Sequence, residues 1–289
     1  MGFNSIVCVK QVPDTANITA EAMTPEGTVN RGALPAIFNP EDLHALETAL
    51  EVRDRFGGTV TVVSMGPPKA AEVLRACLYR GADRAILLTD RKAAGSDTLA
   101  TSYILSQAVR TVGNYDLVFC GRQAIDGDTA QTGPQIAEKL NLPQVTYLEK
   151  VEDIQEENGK KTAKIRRNTG NGWELVEVAL PAMVSVLDTA NEPRPFAAKK
   201  VLKYKHSVVP AEVDEAKAAT LQAAGHLLEQ WTLEDIHADL DRCGFAGSPT
   251  KVFRVQSIVL TKEGFTNVEP TEAGIAGLIH ELITDRTLG

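Results

Sequence analysis

Between residues 5 and 140, short apolar runs alternate with helical patterns, and that alternation leaves few folds open to this chain. Residues 5–9 (Ser5-Ile6-Val7-Cys8-Val9), 59–65, 85–88 and 117–120 are nearly continuous in β-branched and aliphatic residues, the texture of strands covered on both faces. Amphipathic stretches separate them. Residues 39–56 open with Asn39 as a cap, Pro40 at the first helical position and Glu41 and Asp42 in the first turn, then carry a stripe of Leu43, Leu46, Ala49, Leu50 and Val52. Residues 69–80 form a second helical pattern, and Asp97-Thr98 opens a third. Such alternation predicts an α/β fold, a doubly wound parallel sheet with helices on both faces.

The fourth run leads into Gly121-Arg122-Gln123-Ala124-Ile125-Asp126-Gly127-Asp128-Thr129-Ala130-Gln131-Thr132, and a helical pattern through Ile136, Ala137 and Leu140 follows. In open α/β sheets ligands bind at such strand-to-helix junctions. Thr132-x-x-Gln135 spells a capping box, which predicts the helix start. The free N–H groups of that first turn attract an anion. Gly121, Gly127 and Gly133 are expected to let backbone approach a ligand and to reach positive φ. Asp126 and Asp128 suit ribose hydroxyls or loop N–H groups. Lys10 and Arg122 are candidate phosphate partners, although Arg122 serves equally as a structural ion pair. These residues satisfy a nucleotide loop and a well-capped surface loop alike.

After Pro143 the texture changes. Residues 145–152, 161–167 and 173–180 alternate at period two, and Asn158-Gly159 between the first two is a hairpin signal. An antiparallel β extension is predicted, followed by a buried strand at 182–187. Residues 16–36 are polar, with a small hairpin expected around Pro25-Glu26-Gly27. Residues 211–229 have weak helical character, residues 232–235 suggest the cap of a short helix, and 271–283 predict a final helix. The last hundred residues hold few apolar runs, which predicts an arm that packs on another surface. The expected division is an α/β domain over 1–190, including the extension, and a recognition loop plus C-terminal arm over 191–289.

The net charge of -8 across 289 residues opposes non-specific nucleic-acid binding. No apolar run approaches the roughly 20 residues of a membrane span. Cys8, Cys77, Cys120 and Cys243 lie scattered, mostly in apolar runs, as small core residues of a reducing cytoplasm. The five histidines form no ligand spacing. A P-loop, a Gly-x-Ser-x-Gly elbow and His-Glu-x-x-His are all missing, which counts against a nucleotide-hydrolysing or adenylylating enzyme.

Residues 7–15 (Val-Cys-Val-Lys-Gln-Val-Pro-Asp-Thr), Asn39-Pro40, Gly81-Ala82-Asp83-Arg84, the 121–135 loop and Asn191-Glu192-Pro193-Arg194 together resemble, in order, the β subunit of electron transfer flavoproteins. The resemblance implies a Rossmann-like domain of the adenine-nucleotide-binding type. It also implies an electron-carrier subunit in a heterodimer with a flavin-carrying α subunit, around which the arm wraps. Carried over, it sets an adenine nucleotide against Cys8, Asn39, Met65 and residues 121–132. It makes residues 191–205, with Lys199 and Lys200, a loop that docks a partner dehydrogenase; a merely solvated face is the other reading of those lysines. Ordinary members hold AMP. Asp126-Gly127-Asp128, residues 95–102 (with Asp97, Thr98 and Thr101) and Gly247-Ser248-Pro249-Thr250 are more similar to the flavin-bifurcating branch. That branch holds FAD in place of AMP, takes hydride from NADH, and divides the electrons between a low-potential acceptor and a dehydrogenase.

Overall fold

The computed structural model describes residues 2–14, 35–250, 267–285 and 287. The expected hairpin at 25–27 lies outside the described residues. The first half runs β1 (Ser5–Cys8), β2 (Gln11–Pro13), β3 (Ala36–Phe38), α1 (Pro40–Phe56), β4 (Val60–Met65), α2 (Ala71–Arg80), β5 (Arg84–Leu88), α3 (Thr98–Val112), β6 (Leu117–Gly121) and α4 (Thr132–Leu140). The second runs β7 (Gln144–Glu157), β8 (Lys160–Asn168), β9 (Trp173–Ala179), β10 (Ala182–Val186), α5 (Ala198–Tyr204), α6 (Glu215–Ala223), β11 (Glu229–Trp231) and α7 (Glu272–Thr284).

One sheet carries nine of these strands in the order β11-β5-β4-β1-β6-β10-β7-β8-β9. It is parallel from β11 to β7 and antiparallel through β7, β8 and β9. Successive residues of each central strand feed opposite cores. Val7, Val62, Leu87 and Phe119 pack with α1 and α2, whereas Ile6, Val63, Ile86 and Val118 pack with α3 and α4. Most are fully buried, each contributing about 1.5–3 kcal/mol of apolar burial. Continuous apolar runs were required because both faces are covered. The doubly wound sheet with its antiparallel extension is therefore the fold of the chain. The hairpin turn uses Asn158 and Gly159 at φ 52° and 75°, the mirror-image turn that matches strand twist.

The region after residue 190 differs from the expectation in detail. Residues 191–250 fold back on the sheet: Val209, Leu233, Ile236 and Cys243 are buried. β11 adds a parallel edge strand, with Glu229 beside Ile86 and Trp231 beside Leu88. Three residues carry no detectable period, so the strand was hidden in a weakly helical stretch. Its place is secured by Arg84, whose Nε and Nη2 donate to the two Glu229 oxygens at 2.7 and 2.6 Å. Residues 232–235 form a turn and not a helix, with the Thr232 N–H and hydroxyl both donating to Asp235. α7 forms over nearly the expected range, with the Thr271 side chain accepting from the Gly274 N–H as its cap, and buries none of its residues in this chain, leaving Ile275, Leu278, Ile279 and Ile283 exposed. No helix among the described residues is long and apolar enough to cross a membrane.

Candidate functional site

β1 proceeds through α1 to β4 on one side of it, while β6, reached through α3, lies on its other side. The carboxyl ends of β1 and β6 are thus the switch point of the sheet, where a crevice forms. Cys8 and Lys10 come from the end of β1, Met65 from the end of β4, Asp97, Thr98 and Thr101 from the start of α3, and residues 121–132 from the β6–α4 loop. The fold brings all these sequence-predicted residues to one edge.

The start of α1 holds the loop in shape. Asn39 does not cap α1 with its side chain; its Nδ2 donates to the Gln123 carbonyl at 2.8 Å and its Oδ1 accepts from the Ile125 N–H at 3.1 Å. Glu41 accepts from the Gln123 N–H at 2.9 Å and from Arg122 Nη2 at 2.7 Å. Asp42 accepts from the N–H groups of Gly121 and Lys10, each at 2.9 Å, and so bridges β1 and β6. All three side chains belong to buried residues. Buried backbone donors without partners are costly, so this triad makes one loop conformation far better than its competitors. Sequence reasoning took Glu41 and Asp42 for helix-dipole acids, because nothing in a linear pattern marks an acid whose partner lies some 80 residues away.

Three expectations for the loop are corrected. The capping box does not form: α4 begins after Gln131 with no side-chain cap. Gln135 instead accepts from the Ser102 hydroxyl at 3.1 Å, and Gln131 accepts from the Thr98 hydroxyl at 3.0 Å, because α3 lies alongside and competes for these amides. Gly121, Gly127 and Gly133 do not reach positive φ. A Cβ on Gly121 would meet the Glu41 backbone at 2.6 Å, and one on Gly133 would meet Cys120 Sγ at 2.7 Å. These two are small so that α1 and α4 can press on the sheet. Positive φ falls to Asp128 and Ala130, at 48° and 52°.

Lys10 Nζ donates to both Asp126 oxygens at 2.7 and 2.8 Å. With the lysine half exposed, such a pair is worth about 0–1 kcal/mol, so an arriving phosphate can compete for the ammonium. Arg122 is the structural partner of Glu41, yet its Nε is buried without a hydrogen-bond partner among the described residues. Gln123 Nε2 donates to Asp128 at 2.9 Å, while Thr129 stands exposed and Ala124 half-buried. Beside the crevice, at the ends of β4 and β5, lies a cavity of about 280 Å³ walled by Met65, Pro67, Leu88 and Ala93. Its walls are mainly apolar, the kind of lining that small-molecule pockets use.

Burial pushes the Cys8 thiol up to about 12, with the nearby Asp42 charge adding to it; burial likewise raises Cys120. Both remain protonated at neutral pH and supply no thiolate. Burial also raises Asp42 to about 7, against the opposing pull of the Gly121 N–H, Asn39, the Lys10 N–H and the Lys10 charge. A raised carboxyl favours the folded state while protonated, so this group's contribution to stability declines as pH climbs from 3.8 to about 7. The Asp42 carboxyl carbon is expected to titrate near neutrality by NMR; a midpoint in the ordinary carboxylate range would contradict this.

The predicted docking residues are bolted to α1. Asn191 Nδ2 donates to the His44 carbonyl and Thr48 hydroxyl at 3.0 and 2.9 Å. Arg194 pairs with Glu47 and Asp54, each at 2.9 Å. Phe196 packs edge-on against Tyr79 with ring centroids 5.2 Å apart, under the guanidinium of Arg80. Glu192 and Lys199 are exposed, and Pro193 and Lys200 half-buried. Asn191 and Arg194 therefore hold the segment in place, Phe196 packs it on α2, and Glu192 and Lys199 face outward.

The electron transfer flavoprotein domain matches residues 26–225. The chain is 40% identical to the electron transfer flavoprotein subunit beta of Clostridium acetobutylicum, over 97% of this chain and 98% of that one. It is 41% identical to protein FixA of Bradyrhizobium diazoefficiens, over 98% and 92%. It is 42% identical to the caffeyl-CoA reductase-Etf complex subunit CarD of Acetobacterium woodii, over 86% of each. Fold and relatives agree, and the chain belongs to the electron transfer flavoprotein family, among its β subunits.

Proposed function

We propose that this chain is the β subunit of a heterodimeric electron transfer flavoprotein of the flavin-bifurcating kind, and that it holds FAD in the crevice between β1 and β6. The observation that carries the reading is the clamp of Asn39, Glu41 and Asp42 on the backbone of residues 121–125, which preorganises a loop beside an apolar slot and two cations. When bound, FAD supplies the redox chemistry, accepting hydride from NADH and releasing electrons singly. The protein's own part is to bind and orient. Lys10 and Arg122 attract the diphosphate, Met65 and its neighbours seat the base, and protonated Cys8 and Cys120 form an unreactive floor. The α subunit is covered by the C-terminal arm, whose α7 presents Ile275, Leu278, Ile279 and Ile283. Residues 191–200 dock a dehydrogenase of the acyl-CoA type or similar.

Nucleotide analysis of the purified heterodimer tests this directly. Two flavins per heterodimer are expected; one flavin with extractable AMP overturns the FAD assignment in favour of the AMP-holding kind. A second test uses Gly127, where a Cβ meets nothing within 4 Å. Gly127→Asp is therefore expected to leave stability within about 0.5 kcal/mol. Its third carboxylate beside Asp126 and Asp128 is expected to weaken FAD binding about tenfold. Unchanged retention of the second flavin would count against the loop as the diphosphate site.

A further inference from the structure

We propose that Asp97 is a positioning residue that couples the cofactor crevice to the base of the C-terminal arm, so that filling the crevice stiffens the turn at residues 244–250. The inference rests on the reading of the 121–132 loop as the cofactor site. Both carboxylate oxygens of Asp97 are already taken by backbone. Oδ1 accepts from the Ala100 N–H at 2.9 Å and so caps α3, while Oδ2 accepts from the Thr250 N–H at 2.9 Å. The Asp97 N–H donates to Ser248 Oγ at 2.8 Å, and that hydroxyl donates in turn to the Gly244 carbonyl at 2.7 Å. Further stitches join the same two segments: the Phe245 N–H reaches the Ala94 carbonyl at 3.0 Å and the Gly244 N–H reaches Ser96 Oγ at 3.1 Å. A Cβ on Gly244 would stand 2.0 Å from the Lys92 carbonyl oxygen, so this packing admits only glycine there.

On its other side the cap leads straight to the crevice, since Thr98 donates to Gln131 at the end of the loop. A ligand that orders Gln131 and the first turn of α3 thereby orders the Asp97 carboxylate on which Thr250 hangs and, through the Asp97 N–H, Ser248 and the Gly244 carbonyl, the turn that carries Phe245. Such coupling is a free energy shared by two sites, and it acts in both directions. Residues 95–102 and 244–250 are thus one interlaced unit.

Asparagine separates the two jobs of Asp97. Its carbonyl oxygen caps a helix as well as a carboxylate does, but its amide faces the Thr250 N–H with a donor. The test is amide hydrogen exchange on the full heterodimer, with its second flavin site emptied and then refilled by added FAD. In the wild type, FAD is expected to slow exchange at Thr250 and Phe245 at least about fivefold. Gly247, whose N–H bonds within its own turn to Cys243, is expected to change less. In Asp97→Asn the slowing at Thr250 and Phe245 is expected to vanish, while Ala100 stays as protected as before. Ser248→Ala, which removes the acceptor of the Asp97 N–H, is expected to lose the slowing too and serves if Asp97→Asn does not fold. Bound FAD with unmoved Thr250 and Phe245, or slowing that survives both substitutions, overturns the coupling alone. Failure of the second FAD to bind the wild type overturns the cofactor reading and the coupling with it.

Discussion

Gly121→Ala is expected to lower stability by about 2–3 kcal/mol and to strip the nucleotide from the crevice. The new methyl would lie 2.6 Å from the carbonyl carbon of Glu41 and 2.7 Å from the nitrogen of Asp42. Both are backbone atoms at the start of α1, so no side chain can swing aside. Relief requires β6 and α1 to separate, which breaks the Gly121–Asp42 hydrogen bond and then those of Glu41 with Gln123 and Arg122. Since the same contacts shape the loop, nucleotide content should fall more steeply than stability does. Urea unfolding at constant slope, paired with the nucleotide released on denaturation, measures both effects. A variant within about 0.5 kcal/mol of wild type with full nucleotide content would show that the close approach of α1 is not what forms the site.

Arg194→Ala is expected to cost about 2–4 kcal/mol and to reduce electron transfer to the dehydrogenase with nucleotide content unchanged. The guanidinium Nε lies 2.9 Å from both oxygens of Glu47, and Nη1 lies 2.9 Å from Asp54. Glu47 keeps only 6% of its side-chain surface, so truncating the arginine leaves a buried carboxylate with the Arg194 N–H as its remaining partner in this segment. Removing one member of such a pair costs more than removing both, so Glu47→Gln added to Arg194→Ala should recover part of the stability. The transfer defect should persist in the double variant, because the segment carrying Lys199 stays unpinned from α1. Transfer at the wild-type rate in both variants would remove residues 191–200 from the docking role.

The loop and the elements that flank it were legible because their signals are local. A loop that follows a buried strand, carries glycines and carboxylates and runs into a helix marks a strand-to-helix junction from spacing alone, while leaving a nucleotide loop and a capped surface loop equally open. Cys8 and Met65 entered through the family resemblance, and Lys10 as a cation beyond the first strand. The motif resemblance, which orders these stretches along the chain, made the family recognisable. What the sequence concealed is the use of each side chain. Asn39 looked like a helix cap and turned out to bind Gln123 and Ile125; Gly133 looked like a ligand contact and turned out to make room for Cys120. Thr132 and Gln135 spelled a capping box, but Gln135 is engaged by Ser102 from the neighbouring helix. In each case a short-range rule predicted a local partner, and a group from a distant part of the chain made the better hydrogen bond or the closer packing.

Period and composition by themselves determined the doubly wound sheet and the antiparallel extension, because strand and helix periods and turn residues act over a few positions. Only the tertiary structure decided that Glu41 and Asp42 clamp the loop, that Asn191 and Arg194 are anchors, and that Asp97 joins α3 to residues 244–250. Those roles depend on which buried donors and acceptors meet once the sheet closes, and burial is what gives each such meeting its energy.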